Sequence, residues 1–287
     1  MNVTAIALDS KIPNVAIEKI RLYHRQRGDV VYDLDLFIPQ SDITYVSIVF
    51  DWSREMAANY ELYDNVVIGG SGWDVCGKLP PEIDIMRPKI NLGFASRGCN
   101  NNCPFCIVHR KEGNAYPEAD LYDIWDGVSA DITLLDNNIL QLPDHFRLIC
   151  EQARKHKIRL DFNQGLDHKL LNDDVCLELR SIRHKAFVFA FDHPSYIGSV
   201  ERAIDLLDKH RLFNNTWYVL VGYNTTLEED FMRLDYLKQR KQYPYVMRHK
   251  KSYGNHEYVK MARWANTHGL FRKSTYQQFL TKYYPGS

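Results

Sequence analysis

The sequence predicts an α/β protein: a small Rossmann-like unit followed by a parallel strand–helix array of the kind that closes into a barrel or open barrel. Three observations predict it. From Ile90 onward, apolar strand-like runs alternate with helical stretches in six repeats, a pattern of parallel α/β folds. Before Ile90 the chain reads β-α-β-β over about eighty residues. All six predicted strands of the array end in polar residues, and in such barrels the strand ends share one working mouth.

Val3–Asp9 reads as a buried strand, and Asn14–Arg27 as a helix carrying Val15, Ile17, Ile20 and Leu22 that Gly28 stops. Asp29–Leu34, Ile43–Phe50 and Asn65–Gly69 are β-branched and aromatic-rich strand candidates. Gly69-Gly70-Ser71-Gly72 is either a turn or a phosphate cradle. The first domain is placed at 1–88 as a scaffold or substrate platform, the array at 89–268, and a basic aromatic extension at 269–287.

Within the array the predicted strands are Ile90–Ser96, Ile132–Asp136, Ile158–Asn163, Ala186–Asp192, Thr216–Gly222 and Tyr245–Arg248. Helix Pro143–His156 opens on proline, whose missing N–H costs nothing in a first turn. Further helices are expected near Asn172–Ile182, Ser199–His210, Leu227–Lys241 and His256–Thr267. Tyr258, Met261 and Trp264 fall at helical spacing and read as packing residues. The strand ends supply Asp136-Asn137-Asn138, Asn163-Gln164, Asp167-His168, Asp192-His193, Gly222-Tyr223-Asn224-Thr225 and Arg248-His249. Asp167, His168, Asp192, His193 and Tyr223 are candidates to touch substrate or move protons, although loop Asp and Asn also cap helices and a lone His is more often structural.

The densest chemistry follows the first array strand. Cys99, Cys103 and Cys106 form a C-x3-C-x2-C cluster within eight residues. Thiolates are the usual ligands of iron–sulfur clusters, and three of them leave one iron of a four-iron cubane open to another ligand. His109 extends the run to C-x3-C-x2-C-x2-H, so a closed Cys3His zinc site is the alternative. Cys76, Cys150 and Cys176 stand alone and indicate neither disulfides nor a second cluster.

This spacing, with aromatic Phe105 before the third cysteine, resembles the signature of the radical S-adenosylmethionine (radical SAM) superfamily. The resemblance covers residues 90 to about 268 and implies a partial (β/α)6 TIM-type barrel. It implies a [4Fe–4S] cluster on Cys99, Cys103 and Cys106 whose open iron chelates SAM, and reductive cleavage of SAM to a 5′-deoxyadenosyl radical. It also places Asp136, Asn137 and Asn138 at the SAM amino group, and Asn163 and Gln164 at its ribose or carboxylate. Gly222 and Asn224 would lie at the turn that approaches adenine, with Phe105 against the ring. The first domain looks like a shortened form of those in cobalamin-dependent radical SAM enzymes and methylthiotransferases. It lacks D-x-H-x-x-G, and no three cysteines precede Ile90.

Hydrophobic and charged fractions of 45% and 25% are those of an ordinary soluble protein. No apolar run reaches the ~20 residues of a membrane helix, and Met1–Asp9 lacks the features of a signal peptide, so a cytoplasmic location without membrane contact is expected. Net charge is zero but segregated: residues 230–287 hold twelve Lys/Arg against three Asp/Glu. That segment interleaves cations with rings, a pattern that can hold phosphates and stack bases, or simply solvate a helix face. The expected function is therefore radical SAM modification of an organic substrate, with a nucleobase or nucleotide as the leading class and a reductase or a flavodoxin- or ferredoxin-type electron donor. The alternatives are a peptide or small-metabolite substrate and a non-catalytic zinc-bound nucleic-acid module.

Overall fold

Val3, Thr4, Ala5 and Ile6 are all buried, so strand β1 (Asn2–Ala7) is covered on both faces, as a central parallel strand must be. The structure is a computed structural model that describes residues 1–285. It places β1 inside a four-stranded sheet of order β2-β1-β3-β4, where β2 is Val30–Tyr32, β3 is Ile43–Ser47 and β4 is Val66–Gly69. Every pairing in it is parallel. Helix α1 (Val15–Gln26) buries Ile17 and Ile20 with Ala5 and Ile83 on one face, while Ile6, Ile38 and Val46 pack on the other. Asn14 starts α1 by accepting the N–H groups of Ala16 and Ile17 at 3.1 and 3.3 Å. This is the expected small Rossmann-like sheet.

The chain divides into two compact units. The first comprises Met1–Phe94, Gly98–Asn114 and Glu118–Ser129, and the second comprises Ala95–Arg97, Ala115–Pro117 and the described residues from Ala130 onward. The boundary falls inside the predicted Ile90–Ser96 strand, which is broken into Leu92–Gly93 and Ser96–Arg97. A side chain at Gly93 would press on Ile124 at 3.1 Å, a close approach that marks an irregular strand. Ser96–Arg97 pairs antiparallel with Tyr116–Pro117.

In the second unit, Asp131–Leu134, Arg159–Phe162 and the short Arg183–His184 pair in parallel, as do Val188–Ala190, Thr216–Val221 and Tyr243–Arg248. Helices Pro143–His156, Asp173–Ser181, Ile197–Lys209, Leu227–Gln239 and His256–Ala265 separate or follow them. This is the α/β architecture expected from the alternating pattern. Alternate strand residues face the helices: Ile132, Leu134, Leu160, Phe162, Phe189, Trp217, Val219 and Val246 are buried. Phe189 meets Trp217 at 5.2 Å between ring centroids. The Asn266 side chain closes the strand edge at Val246 by accepting its N–H (2.6 Å) and donating to its C=O (3.1 Å). Tyr258, Met261 and Trp264 are buried, as their spacing indicated.

Two helices follow that the sequence did not signal, His268–Lys273 and Tyr276–Tyr283. Among the described residues no helix is long and apolar enough to cross a membrane.

Candidate cluster loop and strand-end site

The cysteine loop lies in the first unit and closes on itself. Gly98 N–H donates to the Glu112 carboxylate (3.0 Å) and Cys99 N–H to the Gly113 carbonyl (3.0 Å). Gly98 has φ +75°, and a Cβ there would sit 2.1 Å from the Asn114 carbonyl, so only glycine allows this closure. Cys106 N–H donates to the Cys103 carbonyl at 2.9 Å, turning the chain between those two thiols. Amides also aim at sulfur: Asn101 N–H lies 3.4 Å from Cys99 Sγ and Val108 N–H 3.5 Å from Cys106 Sγ.

All three cysteines are partly exposed, Phe105 is exposed, and Lys111 donates to Ser71 Oγ at 3.0 Å. Ser71 belongs to the Gly69–Gly72 run, which is a turn: a Cβ at Gly70 would sit 2.2 Å from the Ile48 carbonyl, and one at Gly72 2.4 Å from that of Phe50.

Three thiols on one self-closed loop, with amides directed at two of them, are a donor set suited to an iron–sulfur cluster. Among the described residues no three His, Cys, Asp or Glu side chains are already convergent as a metal-binding group, and His109 is not gathered with the cysteines. Its Nδ1 is buried without a hydrogen-bond partner. Cys150 and Cys176 are buried, and burial pushes their thiols up to about 12 and 11, which keeps them protonated and inert.

The strand ends gather in the second unit. Asp136 is 4% exposed and accepts the Ser96 N–H at 2.7 Å, three residues before Cys99 in the chain. Its other oxygen, Oδ2, is buried without a partner. Burial pushes the carboxyl up to about 7, against the pull of the Ser96 and Ala95 amides. Asn138 donates to Asp167 at 3.2 Å, joining two neighbouring strand ends. Asn163 is half-buried and Gln164 exposed beyond the same strand, and Asn137 is half-buried beside Asp136. Asp192 accepts the Leu220 N–H at 3.1 Å, and its carboxyl is raised by burial.

Gly222 has φ +70° and lies so close to Ser252 that an added Cβ would sit 2.4 Å from its Cβ. Asn224 in the same turn has φ +51° and is exposed, while Thr225 Oγ1 is buried without a partner. Tyr223 meets His249 edge-on at 4.8 Å. The two candidate histidines His168 and His193 both have local hydrogen-bond partners. His168 is buried against Ser199 Oγ (3.0 Å) and pushed down to about 4 by burial, whereas exposed His193 caps its own turn through Ser195.

One functional feature was not foreseen. Arg233 is fully buried and donates to the carbonyls of Phe191 and Leu220 and to Asp230, whose other oxygen accepts the Gly222 N–H at 2.9 Å. This pair fixes the ends of two strands beside Asp192 and Gly222. In the sequence it looks like an ordinary i,i+3 surface pair.

No family model matches the sequence, and no curated protein matches it. Among solved structures the chain is similar to the radical S-adenosylmethionine methyltransferase TsrM from Kitasatospora setae, solved with cobalamin and a [4Fe–4S] cluster bound. Identity is 11% and the TM-score 0.64, over 86% of this chain and 72% of that one. The likeness is one of fold: a parallel α/β fold of the radical SAM type.

Proposed function

We propose that this protein is a radical SAM enzyme that holds a [4Fe–4S] cluster on Cys99, Cys103 and Cys106 and cleaves SAM reductively to modify an organic substrate. The observation that carries the reading is the C-x3-C-x2-C motif on a self-closed loop, in a chain whose fold is of the radical SAM type. When bound, the cluster supplies the electron, drawn from a flavodoxin- or ferredoxin-type donor, that splits SAM into methionine and a 5′-deoxyadenosyl radical. The loop would contribute the three cysteine sulfurs, two of them already within reach of backbone amides, and metal uptake would draw the thiols together.

The strand ends orient SAM and exclude water, which is the usual share of a protein in cofactor chemistry. Asp136 is the candidate for the SAM ammonium, because a cation beside its unpartnered oxygen would offset the cost of burying the carboxylate. Asn137, Asn138, Asn163 and Gln164 are further candidates, and Gly222 and Asn224 form the close-packed turn suited to adenine. Asp167, Asp192 and Tyr223 are substrate-side candidates. A nucleobase or nucleotide is the substrate class we favour, ahead of a peptide or metabolite. The first unit carries no D-x-H-x-x-G motif, and we propose no corrinoid for it.

Iron and sulfide content after anaerobic reconstitution tests the assignment. Cys99→Ala, Cys103→Ala and Cys106→Ala are each expected to abolish cluster assembly, while Cys76→Ala, Cys150→Ala and Cys176→Ala are expected to retain it. Full iron loading of Cys103→Ala would sink the reading. A colourless protein that takes one zinc, and loses it on His109→Ala, would establish the zinc module instead.

A further inference from the structure

We propose that strand Tyr243–Arg248 and the turn after it bind a single-stranded nucleic acid, with Tyr245 and Tyr253 stacking bases and Arg248, Lys250 and Lys251 holding phosphates. The proposal rests on the nucleobase reading above and names the polymer and the element that would present it.

Folding separates the cations of the C-terminal segment into committed and uncommitted ones. Arg233 pairs with Asp230, Arg240 with Asp205 and Glu201, and Lys260 with Glu257. Lys238 donates to the carbonyls of Phe271 and Ser274, Arg263 to the Tyr284 hydroxyl and Arg272 to that of Tyr243. Among the described residues no carboxylate lies within ion-pair distance of Arg248, Lys250 or Lys251, nor of Lys241, Lys273 or Lys282, but the first three are set apart by their density in one short stretch. Lys250 and Lys251 are exposed, and all three fall within four residues at the C-terminal end of one strand. Burial first, then repulsion from Lys251 and Lys250, lowers the affinity of neighbouring His249 for a proton. A concentrated, uncompensated charge of this kind favours a polyanion.

The same strand offers apolar rings beside those charges. Pro244 and Val246 are buried toward the helices, whereas Tyr245 and Met247 on the opposite face are 47% and 43% exposed. Tyr245 stands opposite Tyr218 in register, their centroids 5.6 Å apart. In the exit turn Tyr253 is 55% exposed with the Arg248 guanidinium 5.3 Å from its ring, and the Lys251 ammonium lies 4.9 Å from the ring of Tyr223.

Cations beside open aromatic faces are how sequence-tolerant proteins hold unpaired strands, because stacking needs bases free of a duplex. Asn266 closes the strand edge at Val246, so recognition there falls to side chains, whereas a peptide adding as a further β-strand would need that edge.

The test is fluorescence anisotropy of labelled 20-nucleotide RNA and DNA with the full-length, anaerobically reconstituted protein across a salt series, each variant checked by thermal melting. R248A/K250A/K251A is expected to lose about tenfold or more in affinity, and its log–log salt slope to flatten by about 2, three single-strand contacts at ~0.7 each. Y245A/Y253A is expected to lose about fivefold or more while keeping the wild-type slope. K273A/K282A is expected to change affinity less than about twofold, as distant surface cations should.

The proposal is overturned if the wild type binds neither oligonucleotide above a neutral control protein. It is equally overturned if both lysine-containing variants lose affinity alike, or if duplex binds as tightly as single strand with no effect of the tyrosines. Cleavage of SAM by the wild type under dithionite is read separately. Its absence beside the expected binding pattern would remove the enzyme reading and leave the nucleic-acid site standing.

Discussion

Burial raises the carboxyl of Asp136, which has one oxygen satisfied and the other buried without a partner. Its folded-state pKa of about 7 lies above the ordinary value of 3.8, so the folded protein binds this proton more tightly than the unfolded chain does. Stability from this group is therefore fully present below about pH 4, falls as pH rises, and is lost once pH passes 7. The separation corresponds to at most ~4 kcal/mol. Asp136→Asn keeps an acceptor for Ser96 and removes the charge. It is expected to melt higher than wild type at pH 8 and close to it at pH 4, and to bind SAM more weakly at pH 8 by calorimetry. A wild type that is the more stable of the two at pH 8 would show that burial does not oppose this ionisation.

Strands and turns depend on one another through Asp230 and Arg233 in the first half of helix Leu227–Gln239. Arg233→Met leaves two strand-end carbonyls and a buried carboxylate without their partner, and breaking a buried pair in this way costs roughly 3–5 kcal/mol. Urea unfolding is expected to show a loss of that size, with part of it recovered in Asp230→Leu/Arg233→Met, where no lone charge remains. A single variant as stable as wild type would place the pair outside the network that sets the Gly222 turn.

The contrast between Arg233 and the cysteines shows what was legible. Pro143 announced a helix start because first-turn chemistry is local, and the predicted range beginning at Asn14 likewise opens a helix. The cysteines were legible because their spacing alone places three thiols on one loop. The break in Ile90–Ser96, the extra Arg183–His184 strand and the role of Arg233 depend on distant backbone, such as Ile124 against Gly93, and periodicity carries no trace of that.

At the scale of the whole molecule the charge is segregated, yet most of the basic C-terminal segment serves packing. Phe271 and Phe279 are 2% and 1% exposed, and Phe271 lies 4.8 Å from Trp264 between centroids. The Lys238 ammonium stands 4.9 Å from the Phe271 ring while its protons reach two carbonyls beyond that helix. Tyr276 bridges Trp264 and Phe279 at 5.4 and 6.0 Å. The helices after Thr267 therefore complete the core of the second unit, and the interleaved rings that suggested base stacking are largely spent there. In the 245–253 element, by contrast, Tyr245, Met247 and Tyr253 stay exposed.

The two roles separate by mutation. Phe279→Ala empties a buried ring site and is expected to lower unfolding free energy by roughly 3–5 kcal/mol in urea. K273A/K282A, on the exposed side of the same helices, is expected to stay within about 0.5 kcal/mol of wild type. Phe279→Ala that unfolds at the wild-type urea midpoint would make the last helix an appendage rather than core. The basic rings there would then return to the pool available for a ligand.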